Sequence, residues 1–169
     1  HGVAGIALQR LRRIGAHAVV EADKGDVQPD RLPAVAHQPD RCGGDGAGVG
    51  FVDMEQGWNL HHEDVAAAGI ALMSGVNYAY PWHGTSVLGE IAMVDNALGG
   101  VGIAPAATGR VVSQWRTAAS YNTADAILSA IASMAFGDVL LLEAQEYDPV
   151  GGLYYWPVEI ADGTYDAIR

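Results

Sequence analysis

The sequence predicts an α/β protein in which helices cover both faces of a parallel β-sheet. Short, continuously apolar runs alternate with longer amphipathic segments, in the order strand, helix, strand, helix, strand. Half of the 169 residues are hydrophobic, only 17% are charged and 22 are glycine, which is typical of a packed protein with many tight turns.

Three apolar runs predict the strands of this sheet. The first is Gly48–Val52, which ends at Asp53, and the others are Gly109–Trp115 and Asp138–Leu142. A short apolar run such as Gly48–Val52 is typical of a parallel strand that is buried on both faces.

Capping residues and apolar spacing predict the helices. An apolar helical run follows Pro81 and continues to Asn96. Asn122 or Thr123 caps the next helix, which Gly137 closes, and a last helix begins at Thr164. Residues 147–157 are predicted to form an aromatic-rich loop.

The N-terminal part of the chain differs in composition from the rest. The pattern predicts a short amphipathic helix over 6–14 and a strand at Ala18–Val20, followed by a stretch rich in Pro, Asp and Gly. We therefore expect residues 1–44 to be an N-terminal segment or linker and residues 45–169 to form the main domain.

Charge and cysteine content exclude several classes of function. The net charge of -11 disfavours nucleic acid and anionic membranes as partners. No apolar run approaches the roughly 20 residues that a membrane-spanning helix needs. Because Cys42 is the only cysteine, the sequence excludes an intrachain disulfide and a thiolate metal cluster.

Asp53 and His83 are the candidate chemical groups. An acidic side chain at the carboxyl end of a parallel strand lies where α/β folds place functional groups, although Asp53 equally fits a residue that caps a turn. His83 stands at the predicted start of a helix, where the helix dipole tunes an imidazole that titrates near neutrality. Its alternative is a histidine that merely caps the helix.

The pair His61–His62 is a weaker candidate for a metal site. A zinc-protease helix needs two histidines four residues apart, so that both reach one ion. The fourth residue after His62 is Ala66. The spacing therefore excludes this kind of zinc site.

Three motifs together resemble the N-terminal half of a subtilisin-like serine peptidase domain. They are Phe51–Asp53, then His83–Thr85 with Val87 and Gly89, then Gly102–Pro105. The resemblance covers about residues 45–169 and implies an incomplete subtilisin-like parallel sheet. It also implies that Asp53 orients His83, which is the general base of a Ser-His-Asp triad that cleaves peptides or proteins.

The nucleophile of such a triad is missing from the sequence. The family carries its serine in a Gly-Thr-Ser-x-Ala-x-Pro motif, which does not occur here, and Gly84–Ser86 belongs to the histidine motif. The resemblance therefore implies a partner, namely the C-terminal part of the same domain with the serine, and a chain that is inactive alone. The alternative is a non-catalytic subtilase-like binding or regulatory module. The resemblance also implies a secreted protein.

Glu143, Ala144 and Gln145 stand where many subtilases have Ser-Leu-Gly. In the family this strand end lines the primary specificity pocket and pairs with the substrate backbone. A carboxylate at Glu143 would favour a basic residue before the scissile bond, and the alternative is that it faces solvent or bonds to a neighbour.

The resemblance further implies a structural calcium ion and no organic cofactor. Its ligands would be the side chains of Asp64 and Asn96 and the backbone oxygens of Val94, Leu98 and Gly100, since calcium prefers hard oxygen ligands. The alternative is that Asp95–Asn96 only ends the helix. A nucleotide-binding protein is disfavoured because no phosphate-binding motif is convincing.

Overall fold

The computed structural model describes residues 44–147 and 155–169. Within them, a four-stranded parallel sheet has the order β2-β3-β1-β6. The strands are β1 (Gly50–Glu55), β2 (Ala71–Ser74), β3 (Thr108–Ser113), β4 (Trp115–Thr117), β5 (Ser120–Tyr121), β6 (Val139–Leu142), β7 (Gln145–Tyr147) and β8 (Tyr155–Pro157). The predicted α/β class with a parallel sheet is confirmed.

The helices are α1 (Glu63–Ala67), α2 (Pro81–Ala92), α3 (Thr123–Ala132) and α4 (Asp162–Ile168). Asn122 caps α3 as predicted, because its side chain accepts a hydrogen bond of 3.0 Å from the Asp125 N–H. Helix α3 ends well before Gly137, and α4 begins two residues before Thr164. None of the described helices is both long and apolar enough to cross a membrane.

Helix α2 is shorter than the apolar run predicts, and its end has a clear cause. Met93 adopts an extended conformation, and the segment Gly102–Ala104 then donates its N–H groups to the carbonyls of Met93, Glu90 and Ile91. These bonds satisfy carbonyl groups that the end of a helix leaves without partners.

Strand β1 runs along the middle of the sheet and places alternate residues on opposite faces. Phe51 packs in a core with Trp58 and Leu88 on the α2 side. Val52 and Met54 belong to a second core with residues of α3. Both faces of the sheet are therefore covered, as predicted.

The predicted end of this strand is wrong. Strand β1 continues two residues past Asp53, and Glu55 pairs with Ser113 at the last step of the ladder to β3. Since β1 and β3 are parallel, both end at the same edge, and Glu55 is the acidic residue that lies there. The position of the strand's end therefore determines which acidic side chain lies at this edge of the sheet.

Other differences concern the ends and edges of the sheet. Strand β2 was not predicted; it lies at the sheet's edge within an apolar segment. The predicted strand Gly109–Trp115 divides at Ser113, after which β4 pairs with β5 in a hairpin. The predicted loop over 147–157 contains β8, which pairs with β7. The helix and strand predicted between residues 6 and 20 lie outside the described residues.

Candidate active site

His83 lies in the first turn of α2, where the backbone is tightly packed. Pro81 opens the helix, a position that proline suits because its missing N–H has no partner there. Gly84 faces the turn after β1: a Cβ on it would lie 2.5 Å from the Gly57 carbonyl oxygen. The two glycines thus allow α2 to approach β1 closely, which brings His83 to the end of the strand.

The His83 ring is held by Glu55. The Nδ1 atom of His83 lies 2.5 Å from Oε1 of Glu55, and the Glu55 side chain is 6% exposed while that of His83 is 46% exposed. A carboxylate that accepts from Nδ1–H fixes the tautomer of the ring and leaves Nε2 as the basic nitrogen. The pair can therefore accept a proton at Nε2 and stabilise the charge that results.

No hydrogen bond or ion pair joins Asp53 to His83 in the described structure, in contrast to the expected pairing. Its carboxylate accepts a hydrogen bond of 2.7 Å from Nε1 of Trp58, and its Oδ1 has no hydrogen-bond partner among the described residues. Asp53 and Glu55 point to the same face because they are two residues apart. Glu55 is the one nearer the edge at which α2 begins, so it reaches His83.

Burial is the main influence on both acids. It raises the pKa of Asp53 well above its ordinary value, a shift that the Trp58 hydrogen bond opposes and the charges of Glu55 and Glu143 increase. Burial also raises the pKa of Glu55, although the hydrogen bond and charge of His83 lower it. Glu143 raises the pKa of Glu55 further.

Glu143 lies beside the pair. One ligand atom from each of Glu55, His83 and Glu143 can be chosen so that all three lie within 4.8 Å of one another. The Glu143 carbonyl accepts a hydrogen bond of 3.2 Å from the buried side chain of Gln114. Strand β6 is the neighbour of β1, so its end delivers Glu143 to the same edge of the sheet.

The other two predicted substrate-binding residues lie in different surroundings. Ala144 packs against the core on the α3 side, and Gln145 is exposed in β7, opposite Pro157. Only Glu143 is thus next to His83, and the roles of all three in substrate binding stay predictions.

The predicted calcium ligands are brought together in part. Asp64 is 1% exposed, and its Oδ1 has no hydrogen-bond partner among the described residues. Gly99, with φ +58°, lies against it: a Cβ there would be 2.5 Å from Asp64 Oδ2. The buried carboxylate and the adjoining loop fit a hard cation.

The other predicted calcium ligands lie in the loop that follows α2. The Asn96 side-chain oxygen accepts from the Leu98 N–H at 2.7 Å, within its own turn. Leu98 is 58% exposed. Val94, Asn96, Leu98 and Gly100 therefore stay predicted ligands, and calcium stays a prediction.

Sequence reasoning missed Glu55 as the partner of His83 because it ended the strand too early. A signal was present in Gly57, two residues later. A Cβ on Gly57 would lie 2.5 Å from the Ala79 carbonyl oxygen, so the chain requires glycine where it turns away from the sheet. In this chain the strand ends at Glu55, two residues before the glycine at which the chain turns.

A solved structure shares this fold. The chain resembles the crystal structure of the psychrophilic subtilisin-like protease Apa1 from the Antarctic psychrotroph Pseudoalteromonas sp. AS-11, with a TM-score of 0.50 and 19% identity. The match covers 63% of this chain and 27% of that chain. No family model matches the sequence, and no curated protein does. The predicted subtilisin-like fold is confirmed, and the chain spans about a quarter of the length of that protease.

Proposed function

We propose that this chain supplies the acid–base pair of a serine endopeptidase, with Glu55 in the role expected for Asp53. The observation that carries the proposal is the 2.5 Å contact between His83 Nδ1 and Glu55 Oε1 at the carboxyl edge of a parallel sheet. The subtilisin-like fold supports it, because the solved neighbour with that fold is a subtilisin-like protease.

Each group has a defined task in the reaction. A serine hydroxyl attacks the carbonyl carbon of the scissile peptide bond while Nε2 of His83 takes its proton. The Glu55 carboxylate stabilises the imidazolium that forms. His83 then gives the proton to the leaving amine, which breaks the C–N bond and leaves an acyl-enzyme for water to hydrolyse.

The serine and the oxyanion-binding groups come from polypeptide outside this sequence under the proposal. The His83 side chain is 46% exposed, so its ring is accessible to such a segment and to a peptide substrate. Secretion, a structural calcium ion at Asp64 and a preference of Glu143 for basic residues belong to the same proposal as expectations drawn from the family.

Site-directed variants of the full gene product that contains this chain test the proposal. We expect H83A to lose nearly all peptide hydrolysis, by roughly 10⁶-fold in kcat. E55Q keeps the shape of the side chain but cannot balance the imidazolium, so we expect a loss of about 10⁴-fold. D53N is the matched control, and we expect a far smaller effect because Asp53 binds Trp58.

Two results would contradict the assignment. If D53N is as damaging as E55Q while the fold is retained, Asp53 is the partner of His83. If a fluorophosphonate labels no serine in the full product and no peptide is cleaved, the alternative is correct, namely a non-catalytic binding or regulatory module.

A further inference from the structure

An imidazole and two carboxylates converge at the edge of the sheet. Among the described residues, Glu55, His83 and Glu143 form the one group of three potential metal ligands whose ligand atoms all lie within 4.8 Å. They come from three separate elements, the end of β1, the first turn of α2 and the residue after β6. The backbone of each element is fixed by the sheet or by the packing of α2.

The arginines of the described residues have partners away from this cluster. Apart from histidine, the cationic side chains of residues 44–147 and 155–169 are three arginines. Arg110 pairs with Asp138 and Arg116 with Asp125, while Arg169 lies over the Tyr165 ring. When both glutamates are ionised, the imidazolium of His83 balances only one of them.

A third acidic side chain lies close to this cluster. Asp53 is fully buried on the same face of β1 as Glu55, and its Oδ1 has no hydrogen-bond partner in the described part of the chain. It is close enough to both glutamates for their charges to act on it. A buried carboxyl oxygen without a hydrogen-bond partner is a group that an ion or a donor would satisfy.

We propose that Glu55, His83 and Glu143 bind a divalent transition-metal ion of the zinc class. One imidazole and two carboxylates are a ligand set for such ions, which leaves the fourth position of a tetrahedron for water. Tetrahedral ligands at about 2.1 Å from the ion lie about 3.4 Å apart. The three ligand atoms lie within 4.8 Å of one another without an ion, so binding requires their side chains to close to that spacing.

The ion competes with the proton between Glu55 and His83. A metal ion replaces that proton, because the ligand atoms of both residues must be deprotonated to bind it. If the proposed peptidase function holds, on which only this consequence depends, the bound ion removes the general base and inhibits hydrolysis reversibly.

Calorimetric titration of the 169-residue chain with Zn²⁺ tests the site directly, and Co²⁺ serves as a spectroscopic probe. We expect saturable binding of one ion at submillimolar concentration and visible Co²⁺ absorption bands of a four-coordinate site. E143Q, nearly identical in shape, should weaken binding at least 10-fold, and H83A should remove this site. E146Q is the matched control and should bind like the parent chain.

Two variants distinguish Zn²⁺ binding at this site from Zn²⁺ binding at other residues. A chain with both H61A and H62A lacks the adjacent histidine pair, and we expect its affinity for the first ion to be unchanged. H83A keeps all the other histidines and Cys42, so it reports any binding to them. Circular dichroism establishes that each variant is folded.

Unchanged Zn²⁺ affinity in E143Q or in H83A overturns the proposal, as does the absence of binding to the folded parent chain. These results are distinguishable from failure of the peptidase function, because metal binding is measured on a chain that has no serine nucleophile. A full gene product that cleaves peptides with no change on adding Zn²⁺ contradicts the metal site alone.

Discussion

Strand β1 contributes alternate residues to the two faces of the central sheet. The side chains buried on the two faces differ, since one face buries acidic groups. On the α3 side, Val52 and Met54 pack in an apolar cluster with Ala126, Ile127 and Ala130. On the α1 and α2 side, the core of Phe51, Trp58 and Leu88 adjoins buried carboxylates. Those carboxylates are Asp53, Glu55 and Asp64.

The acidic groups buried next to the candidate site lower the stability of the fold. In the described part of the chain, two carboxylate oxygens are buried without partners, those of Asp53 and Asp64, and both lie on the α1 and α2 side. A buried charge that is incompletely paired costs free energy. On the α3 side the buried Nε of Arg110, whose side chain also donates to the Ser133 carbonyl at the end of α3, likewise has no partner among the described residues. The apolar cluster on that side packs against Val52 and Met54 and so anchors the strand on which the site is built.

The largest expected effect concerns the apolar face. I127A removes a fully buried side chain from α3 and should lower the free energy of unfolding by about 3 kcal/mol, because it leaves a cavity. L128A, on the same helix, changes a side chain that is 56% exposed, and we expect at most about 0.5 kcal/mol. Urea denaturation measures both, and equal effects would contradict the assigned core.

A smaller change in the free energy of unfolding, of opposite sign, is expected from Asp53 on the α2 side of the sheet. Because the pKa of Asp53 is raised in the folded state, its contribution to stability is present below its unfolded pKa of about 3.9. It is lost as the pH rises through the folded pKa, with a slope of up to roughly 1.4 kcal/mol per pH unit.

D53N should therefore be more stable than the parent chain at neutral pH and should lose this part of the pH dependence. The exposed D166N is the matched control and should follow the parent curve. Urea denaturation over a pH series makes the comparison, and a D53N chain that is less stable at neutral pH would show that the Asp53 charge is well compensated.

The smallest expected effect concerns how each helix begins. Helix α3 starts with the Asn122 cap, whereas α2 starts at Tyr80 with no hydrogen bond from a side chain. N122A should cost about 1 kcal/mol of stability, and N122D, which keeps an acceptor oxygen, should cost much less. Thermal unfolding measures the difference, and an N122D as unstable as N122A would exclude the cap as the cause.

Most of the sheet could be predicted from the sequence. Three of its four strands lie in segments that the sequence predicts as strands, and Asn122 marks the start of α3 because a side-chain oxygen satisfies the first turn locally. Strand β2 was not predicted, because periodicity alone does not separate a short strand from a buried helix within the apolar segment 65–76. Long-range bonds from Gly102–Ala104 end α2, and no local signal records them.

The sequence by itself determined the α/β class, the order of the central elements and the position of His83 at the start of a helix, because periodicity and capping are local properties. Only the tertiary structure decided which acid holds that histidine. Asp53 and Glu55 share one face of β1, and their residue types do not distinguish them. Where α2 packs against the turn at Gly57 sets which carboxylate lies within reach, and the structure places Glu55 at Nδ1 and Glu143 beside it.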